Sequence, residues 1–336
     1  MVAAHVSFAQ APWLRDATMG AVLFFASTGM NLVGIVERRA GQEKRLAANA
    51  LFLIFAGFAD NYVQGTLWMS DVFQIAGMAI LAMLLLRRLC PNYWTWLFPL
   101  PFLIHLANQQ FQWKTSGAGV GSFFLTPGLF PLLPWLSFYL LGAHLKKFEG
   151  QRQGWLASGG ALSILVLLAL VGPFQFDKWN MSPEYFLVGC AATAGSFAGL
   201  RRWLTERGTE RLLEIRRWGA NSLVFYILHN FVIRALEMLV PHGVGLFLLA
   251  LVITAMLLRP ALQLQAWTAQ RHAAGVLVAG TIVSLAVLSA NSFLWPQMFH
   301  LRTMAGFGLT LSFIACYPAW KNISRLAARP TVDVTP

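Results

Sequence analysis

The segment from Trp218 to Arg234, WGANSLVFYILHNFVIR, is apolar enough to cross a membrane and yet carries polar side chains along one side. At roughly 100° per residue, these side chains and that of Glu237 fall within an arc of about 140°. They are Ser222, Tyr226, His229, Asn230, Arg234 and Glu237. Ionisable groups are costly in hydrocarbon, so the stripe is expected to face a bundle interior and to mark a functional site. The alternative is that it only bonds neighbouring helices and that its charged members reach the interface.

Composition places the chain in a membrane. Hydrophobic residues make up 57% and charged residues 11%, with a mean hydropathy of +0.59, which is not the balance of a soluble globule. The net charge of +12 lies in short clusters between apolar runs, which indicates orientation signals and no nucleic-acid partner. Cys90, Cys190 and Cys316 have neither disulfide nor metal-ligand spacing, and no HExxH motif occurs, so we expect no metal.

Apolar runs of about 16 to 22 residues are long enough to span a bilayer as helices. We therefore predict an all-α fold: a polytopic membrane bundle of about 10–11 transmembrane helices. It would form a single domain over residues 1–336, with 1–16 as an extracytoplasmic tail and 321–336 as a cytoplasmic tail. The predicted spans are 17–36, 46–60, 71–86, 94–108, 129–145, 155–173, 184–200, 218–240, 244–258, 273–291 and 304–320.

Basic residues cluster in every other loop of this predicted bundle. If every span is real, the Lys and Arg clusters all lie on one side, and the positive-inside bias makes that side cytoplasmic. The N-terminus is then outside and the C-terminus inside, in a membrane expected to be a bacterial inner membrane. The clusters are Arg38, Arg39, Lys44, Arg45; Arg87, Arg88; Lys146, Lys147, Arg152; Arg201, Arg202, Arg207, Arg211, Arg216, Arg217; Arg259, Arg271; and Lys321, Arg325, Arg329.

Polar groups gather at the outer ends of several predicted spans. Together with His229 they could line one cavity that opens outward, where a His beside a carboxylate can act as a general base. Each group also has a simpler interpretation: His105 is more typical of the membrane interface, and Asp71 of a helix cap. The groups are His5, Gln10, Asp16, Asp60, Asn61, Gln64, Asp71, Gln74, His105, Asn108, Gln109 and Gln110.

Three segments resemble one family. FPLLPWLSFYLLGAHL (Phe130–Leu145), DVFQIAGMAIL (Asp71–Leu81) and GANSLVFYILHN (Gly219–Asn230) look like the membrane acyltransferases grouped around lysosomal heparan-α-glucosaminide N-acetyltransferase and its bacterial relatives. The resemblance covers most of residues 11–240. It implies transfer of an acyl group from cytoplasmic acetyl-CoA to a sugar amine or hydroxyl on the far side, with a His in an early extracytoplasmic loop.

The early loop departs from that family. The family has a His before Ala-Pro-Trp, whereas Gln10 precedes this tripeptide here, and Gly20 stands where an Asp is expected. Only His5 remains in the loop. The family's first helix, which opens with Arg-Gly, has no counterpart, so we expect the start codon to be assigned late or the first helix to have been lost.

The resemblance and the polar stripe together define a candidate site. The expected catalytic residues are His229, His5, Asp71, Gln74 and Asn221. The expected donor is acetyl-CoA, with its phosphates held by Arg38, Arg39, Arg201 and Arg202, because Arg pairs with phosphate through a bidentate fork. The partners would be the lipid bilayer and a glycan or lipid-linked sugar, and a homo-oligomer is compatible with the sequence. The alternative is a multi-pass transporter or a catalytically lapsed relative.

Overall fold

The computed structural model describes residues 19–38, 41–64, 71–111, 120–125, 130–148, 151–171, 176–207, 221–237, 239–241 and 243–270. Within these ranges the chain is helical and contains no strand, which confirms the predicted all-α class. The α-helices are α1 (Gly20–Arg38), α2 (Glu43–Gln64), α3 (Val72–Leu89), α4 (Leu100–Phe111), α5 (Leu132–Lys147), α6 (Gln151–Val171), α7 (Pro183–Arg207), α8 (Ser222–Glu237) and α9 (Val244–Gln270). Two short 3-10 segments cover Trp94–Leu97 and Val120–Phe123.

Four of these helices are long and apolar enough to cross a membrane. Their qualifying stretches are Gly20–Glu37 in α1, Val72–Leu89 in α3, Gln153–Leu170 in α6 and Val244–Trp267 in α9. All four overlap predicted spans. The predicted spans 273–291 and 304–320 lie outside the described residues.

The fourth predicted span, 94–108, is divided in the structure. Trp94–Leu97 forms a 3-10 segment, and α4 begins only at Leu100. Two prolines account for the break, because Pro99 and Pro101 have no N–H and fit only before or within the first turn of a helix. The Leu103 N–H then donates to the Pro99 carbonyl at 3.0 Å and starts the helical ladder.

The ninth predicted span ends too early. Helix α9 runs on to Gln270 with Pro260 inside it, so Arg259 lies in a helix and not in a loop. The polar residues after Leu258 suggested a loop, but a proline inside a helix removes only one backbone hydrogen bond and kinks more often than it ends a long apolar helix.

The contacts divide the chain into two compact units. The first comprises Met1–Gly34, Trp68–Ser70 and Leu86–Leu258, and the second comprises Ile35–Leu67, Asp71–Leu85 and Arg259–Pro336.

Helix α5 forms the core of the first unit. Its Trp135, Phe138 and Tyr139 are fully buried, and Phe25 of α1 stacks on Tyr139 with ring centroids 4.9 Å apart. Small residues let these two helices approach closely, as at helix contacts in membranes. A Cβ at Gly29 would collide with the Tyr139 carbonyl, and a Cβ at Gly142 would collide with the backbone of Ala26.

Helix α6 buries one narrow side against α7. Gly154 lies on Ala194 and Ala198, and the Ser158 hydroxyl donates to the Ala191 carbonyl at 3.1 Å. The rest of α6 presents large apolar side chains to the outside, which is typical of a helix that faces lipid. These are Trp155, Leu156, Leu162, Ile164, Val166, Leu167, Leu168 and Leu170.

In the second unit, α2 and α3 pack through two glycines. A Cβ at Gly77 would meet the Ala50 carbonyl and the Ile54 side chain, and a Cβ at Gly57 would meet the side chain of Gln74. The first turn of α3, with Gln74, is therefore held against α2.

Candidate functional site

Helix α8 carries the main candidate, His229. The helix begins at Ser222, and the Asn221 carbonyl accepts the Phe225 N–H at 2.9 Å. Asn221 therefore stands at the N-cap position, where asparagine is among the preferred residues. Helix α8 packs against α9, where Val232 and Ile233 join Leu246 and Ala250 in a hydrophobic cluster.

His229 is fully buried. Its Nδ1 lies 3.1 Å from the Phe225 carbonyl oxygen, one turn earlier in the helix. A carbonyl can only accept, so Nδ1 carries the proton of this hydrogen bond and Nε2 keeps the lone pair that can take up a proton. The rings of Phe225 and Tyr226 lie beside the imidazole, with centroids at 5.9 and 5.2 Å.

Tyr226, on the same stripe as His229, connects α8 to α1. It is buried, and its ring stacks on Phe24 with centroids 6.4 Å apart. The side chains of four other members of the stripe lie outside the described part of the structure. These are Ser222, Asn230, Arg234 and Glu237.

Asp71 and Gln74 are brought together, and their contact is that of a helix cap. The Asp71 N–H donates to Gln74 Oε1 at 2.9 Å, three residues apart at the start of α3. A side chain at the third helical position that reaches back to the N-cap N–H is half of a capping box. Gln74 is buried, and its Nε2 has no hydrogen-bond partner among the described residues. Asp71 and Gln74 belong to the second unit, and His229 and Asn221 to the first.

The arginines proposed for CoA lie at helix ends. Arg201 and Arg202 are exposed near the end of α7, and Arg202 Nε pairs with Glu206 Oε1 at 2.8 Å. The hydrogen bond from Arg202 to Glu206 and their attraction raise the pKa of this guanidinium. Arg38 ends α1, and its side chain lies outside the described residues, as do Arg39 and His5.

A second histidine, His105 on α4, has a more defined environment than the sequence suggested. It is fully buried, and its Nε2 lies 2.8 Å from the Asn180 carbonyl oxygen. The Gln109 side-chain N–H donates to the same carbonyl at 2.7 Å. No local signal pairs these side chains with Asn180, which lies more than seventy residues further on.

The turn that supplies Asn180 is held by its own polar groups. Asp177 Oδ1 accepts the N–H groups of Trp179 and Asn180 at 2.8 and 3.1 Å, and Asp177 Oδ2 accepts the Asn180 side chain at 2.6 Å. Ser182 closes the turn, since its Oγ accepts the Asp177 N–H at 3.2 Å. Met181, between them, has a positive φ of 48°. We call the segment from Asp177 to Ser182 the anchored turn.

The start of α4 is fixed against two neighbouring helices. The Phe102 N–H lies in the first turn of α4, where N–H groups have no partner within the helix. It donates instead to Ser137 Oγ of α5 at 3.1 Å. The Phe102 ring stacks on Phe186 of α7 with centroids 3.9 Å apart and planes within 7°. His105, one turn later, is therefore positioned by rigid elements.

Within the described residues, no three His, Cys, Asp or Glu side chains group closely enough to hold a metal ion.

Compared with known proteins, the chain matches no family model, no curated protein and no solved structure.

Proposed function

We propose that this chain is a multi-pass membrane acyltransferase that moves an acetyl or related acyl group from cytoplasmic acyl-CoA to an extracytoplasmic sugar or glycan. The membrane part of the proposal is supported by the four helices that are long and apolar enough to span a bilayer. It is also supported by the apolar outer face of α6, which a soluble monomer would not leave uncovered over such an area.

The observation that carries the catalytic part is the hydrogen bond from His229 Nδ1 to the Phe225 carbonyl. It selects the imidazole tautomer in which Nε2 is the base, and it holds the ring on a packed helix. If α8 lies within the membrane as the sequence predicts, an ionisable residue on it is by default a functional-site hypothesis. The reaction class, acyl transfer, comes from the three segments that resemble membrane acyltransferases: Phe130–Leu145, Asp71–Leu81 and Gly219–Asn230.

In the proposed reaction, His229 Nε2 takes the proton of an acceptor hydroxyl or amine. The acceptor oxygen or nitrogen then bonds to the acyl carbon, the C–S bond of acyl-CoA breaks, and the leaving CoA sulfur takes the proton from His229, which restores the neutral imidazole. Arg38, Arg39, Arg201 and Arg202 would bind the CoA phosphates on the cytoplasmic side. The topology that this requires has the N-terminus outside and the C-terminus in the cytoplasm.

The test is acyl transfer across a sealed membrane. Purified protein is reconstituted into proteoliposomes, acetyl-CoA with a labelled acetyl group is supplied on one side, and a glycan acceptor on the other. We expect labelled acceptor and free CoA thiol in equal amounts. Saturable uptake of a solute with no acetyl transfer to any glycan would replace the acyltransferase with a transporter, the alternative class for such a bundle.

A further inference from the structure

The second buried histidine, His105, has a ring nitrogen that can accept a hydrogen bond and receives none from the described residues. Its Nε2 lies 2.8 Å from the Asn180 carbonyl, and since a carbonyl only accepts, Nε2 is the protonated nitrogen. Nδ1 then carries the lone pair. This atom is buried and has no hydrogen-bond partner among the described residues.

A second unused acceptor lies one helical turn away. Asn108 is 4% exposed, and its Oδ1 is also buried without a partner in the described part of the chain. Residues three apart on a helix are neighbours on its surface, with Cβ atoms about 5–6 Å apart. A buried polar atom without a partner loses the hydrogen bonds that water would give it, so a ligand that restores them is bound favourably.

We propose that His105 Nδ1 and Asn108 Oδ1 together bind an uncharged ligand with two neighbouring O–H or N–H donors, as on a sugar ring. Resting on the proposed function, this makes the pair a binding site for the sugar acceptor. Two adjacent hydroxyl groups of a sugar ring supply such a pair of O–H donors.

The charge at this place favours a neutral ligand over a cation. Both unused acceptors are uncharged, and the carboxylate of Asp177 in the anchored turn is already engaged by three donors of that turn. The anchored turn lies over this end of α4, because its Asn180 carbonyl bonds both His105 and Gln109. The ligand would enter when the turn moves away and releases these two hydrogen bonds.

The test uses the full chain, purified in detergent, with glucose as the probe and permethylated glucose as the analogue without O–H donors. Binding is measured by calorimetry. We expect glucose to saturate with a Kd of about 1–10 mM and the permethylated sugar not to bind. His105→Leu and Asn108→Leu should each weaken glucose binding about tenfold, the usual effect of losing one or two neutral hydrogen bonds.

Two variants separate binding from folding. His105→Gln keeps a donor for Asn180 and an acceptor for the ligand, so it should bind glucose within a few-fold of the wild type. Leu103→Ala changes an exposed residue of the same helix and should bind as the wild type does. If the leucine variants do not fold, the Nδ1 resonance of His105 in 15N-histidine protein, assigned by its loss in His105→Gln, should shift on addition of glucose.

The site would be wrong if glucose showed no saturable binding, or if glucose and permethylated glucose bound equally well. It would also be wrong if His105→Leu and Asn108→Leu left glucose binding unchanged and the His105 resonance did not move on addition of glucose. The proposed acyl transfer is judged separately. It depends on His229, and His229→Ala should lower the rate of transfer about a hundredfold or more, which the transfer assay measures without any reference to glucose binding.

Discussion

His229 and His105 are both buried, and each donates to a backbone carbonyl, but through opposite ring nitrogens. His229 uses Nδ1 toward Phe225 within its own helix, whereas His105 uses Nε2 toward Asn180 in a distant turn. The remaining nitrogen is therefore Nε2 in the first and Nδ1 in the second. The lone pair thus lies on Nε2 in His229 and on Nδ1 in His105. The position of the lone pair decides which donor of a ligand each ring can accept.

Asp177 in the anchored turn gives a prediction for stability against pH. Partial burial tends to raise the pKa of its carboxyl, but hydrogen bonds from Asn180 and Trp179 outweigh it and hold the pKa below the ordinary 3.8. Because this pKa is lower in the folded than in the unfolded chain, the ionised carboxylate stabilises the fold at every pH above the pKa of the unfolded chain. That stabilisation is lost as the pH falls through the pKa of the folded chain.

We expect Asp177→Asn to lower the free energy of unfolding at pH 7, by less than about 1 kcal/mol because the group is only partly buried and water screens its charge. The difference in melting temperature from the wild type should stay constant between about pH 8 and pH 5 and shrink below about pH 4. Glu206→Gln, which removes an exposed carboxylate of α7, serves as the control and should change little. A difference that grows on acidification would contradict this account of the turn.

At the residue scale, the sequence pointed to some side chains and missed their partners. The helical spacing of α8 singled out His229, which is buried. The three-residue spacing of Asp71 and Gln74 fitted both a catalytic pair and a helix cap, and only their hydrogen bond shows the cap. The link from His105 to Asn180 depends on tertiary packing and leaves no periodic or local signal in the sequence.

Among the helices, the close contact of α1 and α5 is the most sensitive to substitution. Gly29→Ala or Gly142→Ala would place a methyl group against the backbone of the facing helix. Backbone cannot rotate away as a side chain can, so the helices must separate. We expect each variant to lose about 1–3 kcal/mol, the usual cost of overpacking a close contact, measured as a lower melting temperature in detergent.

Gly160→Ala in α6 is the matched control, because no atom lies within 4 Å of a Cβ at that position. Alanine is the better helix former by about 1 kcal/mol, so this variant should be as stable as the wild type or slightly more stable. If Gly29→Ala and Gly142→Ala behaved as Gly160→Ala does, the close packing of α1 on α5 would be wrong.

Helix ends were harder to predict than helix positions. The apolar runs located every described helix, because hydrophobic stretches of sufficient length have few alternatives to a helix in lipid. The runs did not locate the break before α4, which is due to Pro99 and Pro101, or the continuation of α9 through Pro260. A proline has opposite effects in these two places, and the surrounding packing decides between them.

Over the whole molecule, the number of spans depends on more than apolar length. Helix α4 has 12 residues, about 18 Å at the helical rise, and is shorter than the hydrocarbon core of about 30 Å. It would reach across only together with the 3-10 segment before it. Four helices have the length and composition of a membrane span. The total of about ten to eleven spans remains a prediction.

The alternation of basic loops predicts the positions of the termini. A green fluorescent protein fused after Pro336 should fluoresce, and alkaline phosphatase at the same place should be inactive, because the C-terminus is expected in the cytoplasm. Phosphatase fused after Asn180, in a predicted outer loop, should be active in the same strain. Active phosphatase after Pro336 would contradict the predicted topology.

The central claim, that buried His229 is the base of a transmembrane acyl transfer, is tested most directly by comparing His229→Ala with the wild type in proteoliposomes at equal amounts of folded protein. The account predicts that labelled acetyl from acetyl-CoA reaches a glycan acceptor in the wild type. The variant should lose about a hundredfold or more in rate while its melting temperature stays close to that of the wild type. A folded variant that transfers acetyl at the wild-type rate, or one that loses only stability, would contradict the claim.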